Sequence, residues 1–258
     1  MNPLLCDESI SLIRRRGRRI YLTRRLSLGE LEDIVSAPGE TLKCSSKAMV
    51  TRTGKWVVKQ SRGHWLIEVI RHTARRSRYR RAWIAAHHLR RHDVLAPVPV
   101  AFIEFGVLGL LTGNLMVSEY LEDCANVELY LKNRVETGIE KDELGVFFER
   151  LAYAVNRFAA SGACHEDLSG KNIFTQNGER FYFIDLDAVA VGRPITDAQR
   201  LANLIQLYDS FCDFVQDDLL EAFIGHMVPS EGSLQEWFGR VREGQRIRRG
   251  LYQQRRGK

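Results

Sequence analysis

Apolar and polar positions along residues 41–60 fall into three short runs, TLKCSS, AMVTRT and KWVVKQ, the last two parted by a Thr53-Gly54 turn. Runs this short predict strands, and their close spacing predicts an antiparallel meander. The pattern then changes. Residues 64–92 carry Trp65, Val69, Ala82, Trp83, Ala86 and Leu89 as a broken apolar stripe at helical spacing, and the stretch 94–99, with Pro97 and Pro99, ends it. Residues 102–105 and 115–120 predict two further strands around a glycine-rich turn at 106–113. Beyond them the patterns are mostly helical. VELYLKN begins at Val127, and over residues 142–161 Leu144, Phe147, Phe148, Leu151, Val155 and Phe158 recur at helical spacing before Gly162 caps the end. Residues 197–214, 217–227 and 234–252 predict three more helices, the last carrying Trp237, Phe238, Val241, Ile247 and Leu251. Strands first and helices after predict an α+β chain in two lobes, a small antiparallel sheet lobe with one long helix over residues 41–118 and a mainly helical lobe over 119–258. Residues 1–40, a basic segment followed by the acidic LGELEDIVSAPGE that Pro38 and Gly39 close, read as an extension leading into the first lobe.

The chemistry concentrates in residues 164–189, CHEDLSGKNIFTQNGERFYFIDLDAV. His165, Asp167 and Asn172 fall on one loop in the order H-x-D-L-x-x-x-N, and a short apolar strand at 181–184 delivers Asp185 at its end. Phosphoryl transfer asks little covalent work of a protein, so catalysis rests on positioning and on neutralising charge. One carboxylate must sit beside the acceptor hydroxyl, and Asp167 is placed for that. A carboxamide and a second carboxylate supply hard oxygens to magnesium, and Asn172 and Asp185 have that chemistry. Lys59 follows the apolar Trp56-Val57-Val58 as the lysine of V-A-I-K follows its strand, which would set it on the α- and β-phosphates of a nucleotide, and a surface lysine at a strand end fits this segment as well. Its expected helix partner is Glu68, the one acid in the 64–92 stretch. The turn before residue 48 lacks the glycines of a phosphate loop and offers Ser45, Ser46 and Lys47 instead. Glu119 and Leu121 stand at the exit from the sheet lobe, where backbone groups would meet adenine, and an ordinary strand exit accounts for them equally well. Lys171 could bring positive charge near the transferring phosphate and Asp187 could be a spare metal ligand, but both read better as exposed surface charges.

Composition and charge bear on the setting and the partner. At 258 residues and 45% hydrophobic the chain holds enough apolar side chains for a sizeable core. Five cysteines, far apart and without a C-x-x-C pair, argue against a disulfide framework or zinc site and point to a reducing cytoplasm. No apolar run reaches membrane-spanning length, and acids followed by arginines near the N-terminus do not form a signal peptide. The net charge of +6 is unevenly spread: seven arginines lie in residues 14–25, eight in 71–91, and eight basic side chains against one acid in 240–258. Three such runs point to a polyanionic partner. With no nucleic-acid reader motif and no interleaved aromatic platform, no nucleic acid is expected.

HEDLSGKNIF, FIDLD, WVVK and the run SRYRRAWIAAHHLRRHDVLAPVPVAFIE together resemble the bacterial lipopolysaccharide kinases, the heptose and Kdo (3-deoxy-manno-octulosonic acid) kinases, over roughly residues 41–215. The resemblance implies a bilobal protein-kinase-like fold, ATP and magnesium as cofactors, Asp167 as base in a catalytic set with His165 and Lys59, and Asn172 and Asp185 as metal ligands. It also implies a sugar or glycolipid acceptor at the cytoplasmic face of the inner membrane, with the arginine runs on the anionic surface as a peripheral contact. Three departures from protein kinases stand out: Glu166 in place of the arginine of H-R-D, no A-P-E element, and Ser169 where the catalytic-loop lysine stands. Two other readings compete, a small-molecule phosphotransferase of the aminoglycoside or choline type and a non-catalytic kinase-like scaffold binding a polyanionic partner. The first would want an acidic pocket, which the arginine-rich helix opposes, and the second would be expected to lose Asp167, Asn172 or Asp185.

Overall fold

Register fixes the two faces of the sheet that carries Lys59. The computed structural model describes residues 4–5, 9–46, 48–61, 77–107 and 110–256. The chain divides into two units, Met1–Arg91, Ala96–Glu122 and Asp185–Ala188 in one, and His92–Leu95, Asp123–Ile184 and Val189–Lys258 in the other. The first unit holds strands β1 (Ile10–Arg15), β2 (Arg18–Thr23), β3 (Glu40–Cys44), β4 (Ala48–Thr53), β5 (Trp56–Ser61), β6 (Pro99–Val107) and β7 (Leu110–Glu119). They pair antiparallel in the order β1-β2-β6-β7-β5-β4-β3.

Directly opposed residues of antiparallel strands share a face. Leu22, Ala101, Val117 and Val58 form one such row, and Leu31 and Ile34 of helix α1 (Leu28–Ser36) complete its core. Ser27 and Glu30 close a capping box at the start of α1, so part of the acidic segment read as an extension is a capped helix. Tyr21, Phe102, Met116 and Lys59 form the neighbouring row on the opposite face. There Trp83 of helix α2 (Arg78–Arg91) is fully buried, stacks on Phe102 at 6.1 Å between centroids and donates its indole N–H to the Leu4 carbonyl at 3.1 Å. Lys59 therefore belongs to the face that α2 covers.

The boundary at residue 40 does not appear in the pairing, because β1 and β2 are sheet strands. Their apolar alternation is hidden by arginines gathered at the hairpin end, where Arg14 opposes Arg19 and Arg15 opposes Arg18 around Gly17 at φ 74°. Gly17 takes that left-handed conformation at little cost. The predicted helix over 64–92 is seen as α2 over its C-terminal half, and residues 62–76, Glu68 among them, lie outside the described residues.

The second unit holds helices α3 (Val127–Glu136), α4 (Lys141–Ala160), α5 (Asp197–Phe211), α6 (Asp217–Gly225) and α7 (Leu234–Arg256). Short strands complete it: β8 (Ala125–Asn126), β10 (Ile173–Gln176) and β11 (Arg180–Phe183) form one sheet, and β9 (Cys164–His165) pairs with β12 (Val189–Ala190). The core is aromatic. Phe158 of α4 stacks on Phe183 of β11 at 4.4 Å, Phe147 meets Phe181 edge-on at 5.4 Å, and Phe148 packs on Phe223 of α6 at 4.8 Å. Burying each such ring contributes about 1.5–3 kcal/mol, and here it also fixes the strand that leads to Asp185. Among the described residues no helix is long and apolar enough to cross a membrane.

Candidate active site

The loop after β9 is built around one buried imidazole. His165, 2% exposed, accepts the Asp167 amide proton at Nδ1 (3.0 Å), so its remaining proton sits on Nε2, which donates to the Ile184 carbonyl at 3.0 Å. A backbone N–H only donates and a carbonyl only accepts, which sets the neutral Nε2–H tautomer. His165 thus ties the loop to the end of the strand and has no ring nitrogen left for a substrate. Its place in the set is positional.

Asn172 completes the loop. Its NH2 donates to the Asp167 carbonyl at 2.9 Å and to Asp167 Oδ2 at 3.0 Å, while its own carbonyl accepts from the Ile184 amide at 2.9 Å. The amide oxygen of Asn172 is left as its acceptor, and Asp167 Oδ1, which Asn172 does not hold, has Arg248 Nη2 at 3.9 Å. Asp185 follows Ile184 with φ 56°, a left-handed conformation that costs most residues about 1–2 kcal/mol and that Asp tolerates better than most. Carboxamide and carboxylate oxygens are the hard donors magnesium takes, usually one or two from protein with phosphate and water making up the rest.

The backbone of residues 165–170 is held by a polar stripe on α5. Asn203 Nδ2 donates to the His165 carbonyl at 3.0 Å, and Gln206 donates to the Glu166 carbonyl at 2.9 Å while accepting from the Leu168 amide. Ser210 accepts from the Gly170 amide at 2.9 Å. Gly170 itself is packed so closely that a Cβ would stand 2.9 Å from Phe211 Cε1 and 3.1 Å from Glu128 Cβ. Sequence alone does not single out Asn203, Gln206 and Ser210; the available signal is that 203, 206 and 210 fall on one side of a helix that also carries Asp197, Gln199, Arg200 and Asp209. Gln206→Leu strands the Leu168 N–H and Glu166 C=O at a cost of about 1–3 kcal/mol for each group left buried and unpaired. The expected outcome is a lower denaturation midpoint together with lost turnover. Gln206→Glu, which can still accept from Leu168, loses less of both.

The two loop charges read as surface groups have partners. Asp187 is not a surface acid. It is 8% exposed and forms a close ion pair with Arg78 at the start of α2, and burial, then the neighbouring Asp185, push its carboxyl above the usual range against the pull of Arg78. Lys171 is exposed as expected and pairs with Glu128 at 3.5 Å. The residues that the sequence assigns to the nucleotide fall, where described, in the first unit. Lys59 sits mid-strand, half-buried, opposite Met116 and Val50. Ser45 closes the β3–β4 turn, its hydroxyl accepting from the Ala48 amide at 3.1 Å, with Ser46 exposed next to it. At the sheet exit the Glu119 amide donates to the Val98 carbonyl and its carboxylate pairs with Arg25 at 2.8 Å, so the open backbone group there is not its N–H; Leu121 lies two residues on. Glu68 and Lys47 lie outside the described residues.

A model of the lipopolysaccharide kinase (Kdo/WaaP) family matches residues 31–225. No curated protein matches the chain at a significant level. Among solved structures, "WaaP in complex with acyl carrier protein" is similar at 19% identity and a TM-score of 0.66, over 88% of this chain and 99% of that one. The bifunctional kinase-methyltransferase WbdD is similar at 12% identity and a TM-score of 0.47, over 77% of this chain and 47% of that one. The Mycobacterium tuberculosis PknI kinase domain is similar at 16% and 0.43, over 79% and 93%. The architecture is α+β and protein-kinase-like. Because the family model spans well over half of its length, the chain belongs to the lipopolysaccharide kinase (Kdo/WaaP) family and is an ATP-dependent phosphotransferase.

Proposed function

We propose that the chain transfers the γ-phosphoryl group of ATP to a sugar hydroxyl of the lipopolysaccharide inner core, on a heptose or a Kdo residue, at the cytoplasmic face of the inner membrane. The observation that carries this reading is the division of labour on Asp167: Asn172 holds Oδ2, and Oδ1 remains to accept a proton. In the transfer the acceptor oxygen forms its bond to the γ-phosphorus and its proton passes to Asp167 Oδ1. The bond from the γ-phosphorus to the bridging oxygen breaks, and its electron pair leaves on ADP. Lys59 grips the α- and β-phosphates, and Glu68 is its proposed partner. Asn172 and Asp185 would hold magnesium, which would offset phosphate charge. His165 holds the loop. Ser45 and Ser46 border the phosphates, and the Glu119 to Leu121 backbone borders adenine.

On the acceptor side the support is the arginine-rich surface. Arg14, Arg15, Arg18 and Arg19 line one cleft in the first unit, a setting suited to the phosphates and carboxylates of core glycolipid and to an anionic leaflet. Two of these arginines already face acids, Arg15 with Glu32 at 2.9 Å and Arg19 with Glu104 at 3.9 Å, as do others of the basic runs, Arg242 with Asp217 and Arg246 with Glu243. The solved WaaP is in complex with acyl carrier protein, and a carrier-protein partner for this chain enters the proposal by that likeness alone. Radiolabelled ATP offered with deacylated core oligosaccharides that end at Kdo or carry heptose tests the acceptor. Neutralising Arg14, Arg15 and Arg18 together is expected to raise the acceptor KM severalfold with ATP parameters unmoved. Unchanged acceptor KM in that variant would remove the arginine cleft from the proposal.

A further inference from the structure

Phosphoryl transfer needs cations around the moving group, and the loop that carries Asp167 spends its own cation elsewhere, since Lys171 is 71% exposed and turned to Glu128. The helix that supplies a cation instead is α7. Its first turns are anchored by buried Trp237, Phe238 and Val241, and Gly244 lets it run against α5 so closely that a Cβ there would stand 2.2 Å from Ile205 Cδ1. One turn on, Arg249 is clamped by short charge-assisted bonds, Nε to Asp209 at 2.6 Å and two to Asp213 at 2.8 and 2.9 Å. Gln245 adds a bond to the same Asp209 oxygen at 3.1 Å. These contacts dock the helix. They leave Arg248 with its Nε 3.5 Å from Asp209 Oδ2 and its Nη2 3.9 Å from Asp167 Oδ1, and with its side chain only 28% exposed.

We propose that Arg248 is a catalytic residue whose guanidinium meets an oxygen of the γ-phosphoryl group as it transfers, an inference that rests on Asp167 being the base. A hydroxyl bound to Asp167 Oδ1 and the phosphorus it attacks lie within about two hydrogen-bond lengths of that oxygen, roughly 5–6 Å, so a cation placed 3.9 Å from it reaches the phosphoryl oxygens. The bonds made and broken are those given above, and Arg248 exchanges no proton, because a guanidinium stays protonated in proteins. α7 lies beyond residue 225, where the family match ends, and the basic tail thereby acquires a role in the reaction.

The test compares Arg248→Gln, Arg248→Lys and the double variant Arg248→Gln with Ser169→Lys, which puts a cation back on the loop itself. Two rates are read, transfer to core glycolipid and acceptor-free hydrolysis of ATP by water, together with nucleotide affinity and melting temperature. Arg248→Gln is expected to lower both rates by about 10²-fold with nucleotide affinity nearly unchanged, Arg248→Lys less, and the double variant to recover at least part of the loss. A docking role would lower the melting temperature in a way that a lysine at 169 does not repair, so absence of recovery in the double variant overturns the proposal, as does near-wild-type turnover of Arg248→Gln. Wild-type hydrolysis without glycolipid transfer would sink the acceptor assignment while the hydrolysis rates still decide Arg248. Wild-type protein silent in both assays would overturn the kinase reading and Arg248's role with it.

Discussion

Asp167→Asn is expected to lower transfer by about 10³-fold while nucleotide affinity and melting temperature stay near wild type. The substitution keeps the shape of the loop, because a carboxamide oxygen at this position still accepts from Asn172 Nδ2, now 3.0 Å from Asp167 Oδ2. What changes is the other side. An NH2 group replaces the oxygen proposed to take the hydroxyl proton, so a donor stands where the proposed reaction needs an acceptor. Single-turnover rates with saturating ATP separate this loss of chemistry from any loss of binding. Turnover within a few fold of wild type would remove Asp167 from the role of base.

The second large effect is expected at Asp185, and its character differs. Asp185→Asn keeps a residue type that tolerates φ 56° and removes only the charge, so the fold is retained while the affinity for magnesium-nucleotide falls. A loss of about 10² in kcat/KM is expected, partly recovered by raising magnesium, since one of the two proposed metal ligands would be weakened and the other would remain. Asp185→Ala adds the backbone cost of an alanine in the left-handed region, about 1–2 kcal/mol, and is expected to melt earlier as well. Magnesium titrations that superimpose for wild type and Asp185→Asn would take Asp185 out of the metal site.

The parts of this protein that were legible in the sequence share a property: their residues lie close together in the chain. Phosphoryl transfer demands set residue types on one loop and one strand end, so His165, Asp167, Asn172 and Asp185 could be read from a single stretch of 21 residues. Strands β3 to β7 were readable because each carries its strand-forming residues within its own five to ten positions. Strands β1 and β2 were not, because arginines at both sides of Gly17 hide a buried face at Ile20 to Thr23 under the charge of a tail. The braces of the catalytic loop escaped for a different reason. Asn203, Gln206 and Ser210 reach backbone groups about forty residues away, and a polar residue on a helix carries no mark of whether it faces water or a carbonyl. Asp187 and Arg248 are the same case in charge form: each is an ordinary surface group until Arg78 or Asp167 is brought to it by the fold. Net charge counts such residues as free, although Arg248 and Arg249 of the basic tail face acids within their own unit.

The central claim, that a kinase-like loop in this chain phosphorylates a core sugar, is tested most directly by mass spectrometry of deacylated inner-core oligosaccharide after incubation with ATP, magnesium and purified protein. The account predicts a product heavier by one phosphate on a heptose or Kdo unit, formed by the wild type and lost with Asp167→Asn. Unmodified oligosaccharide from a wild-type protein that hydrolyses ATP, or an equal yield of phosphorylated product from Asp167→Asn, would contradict it.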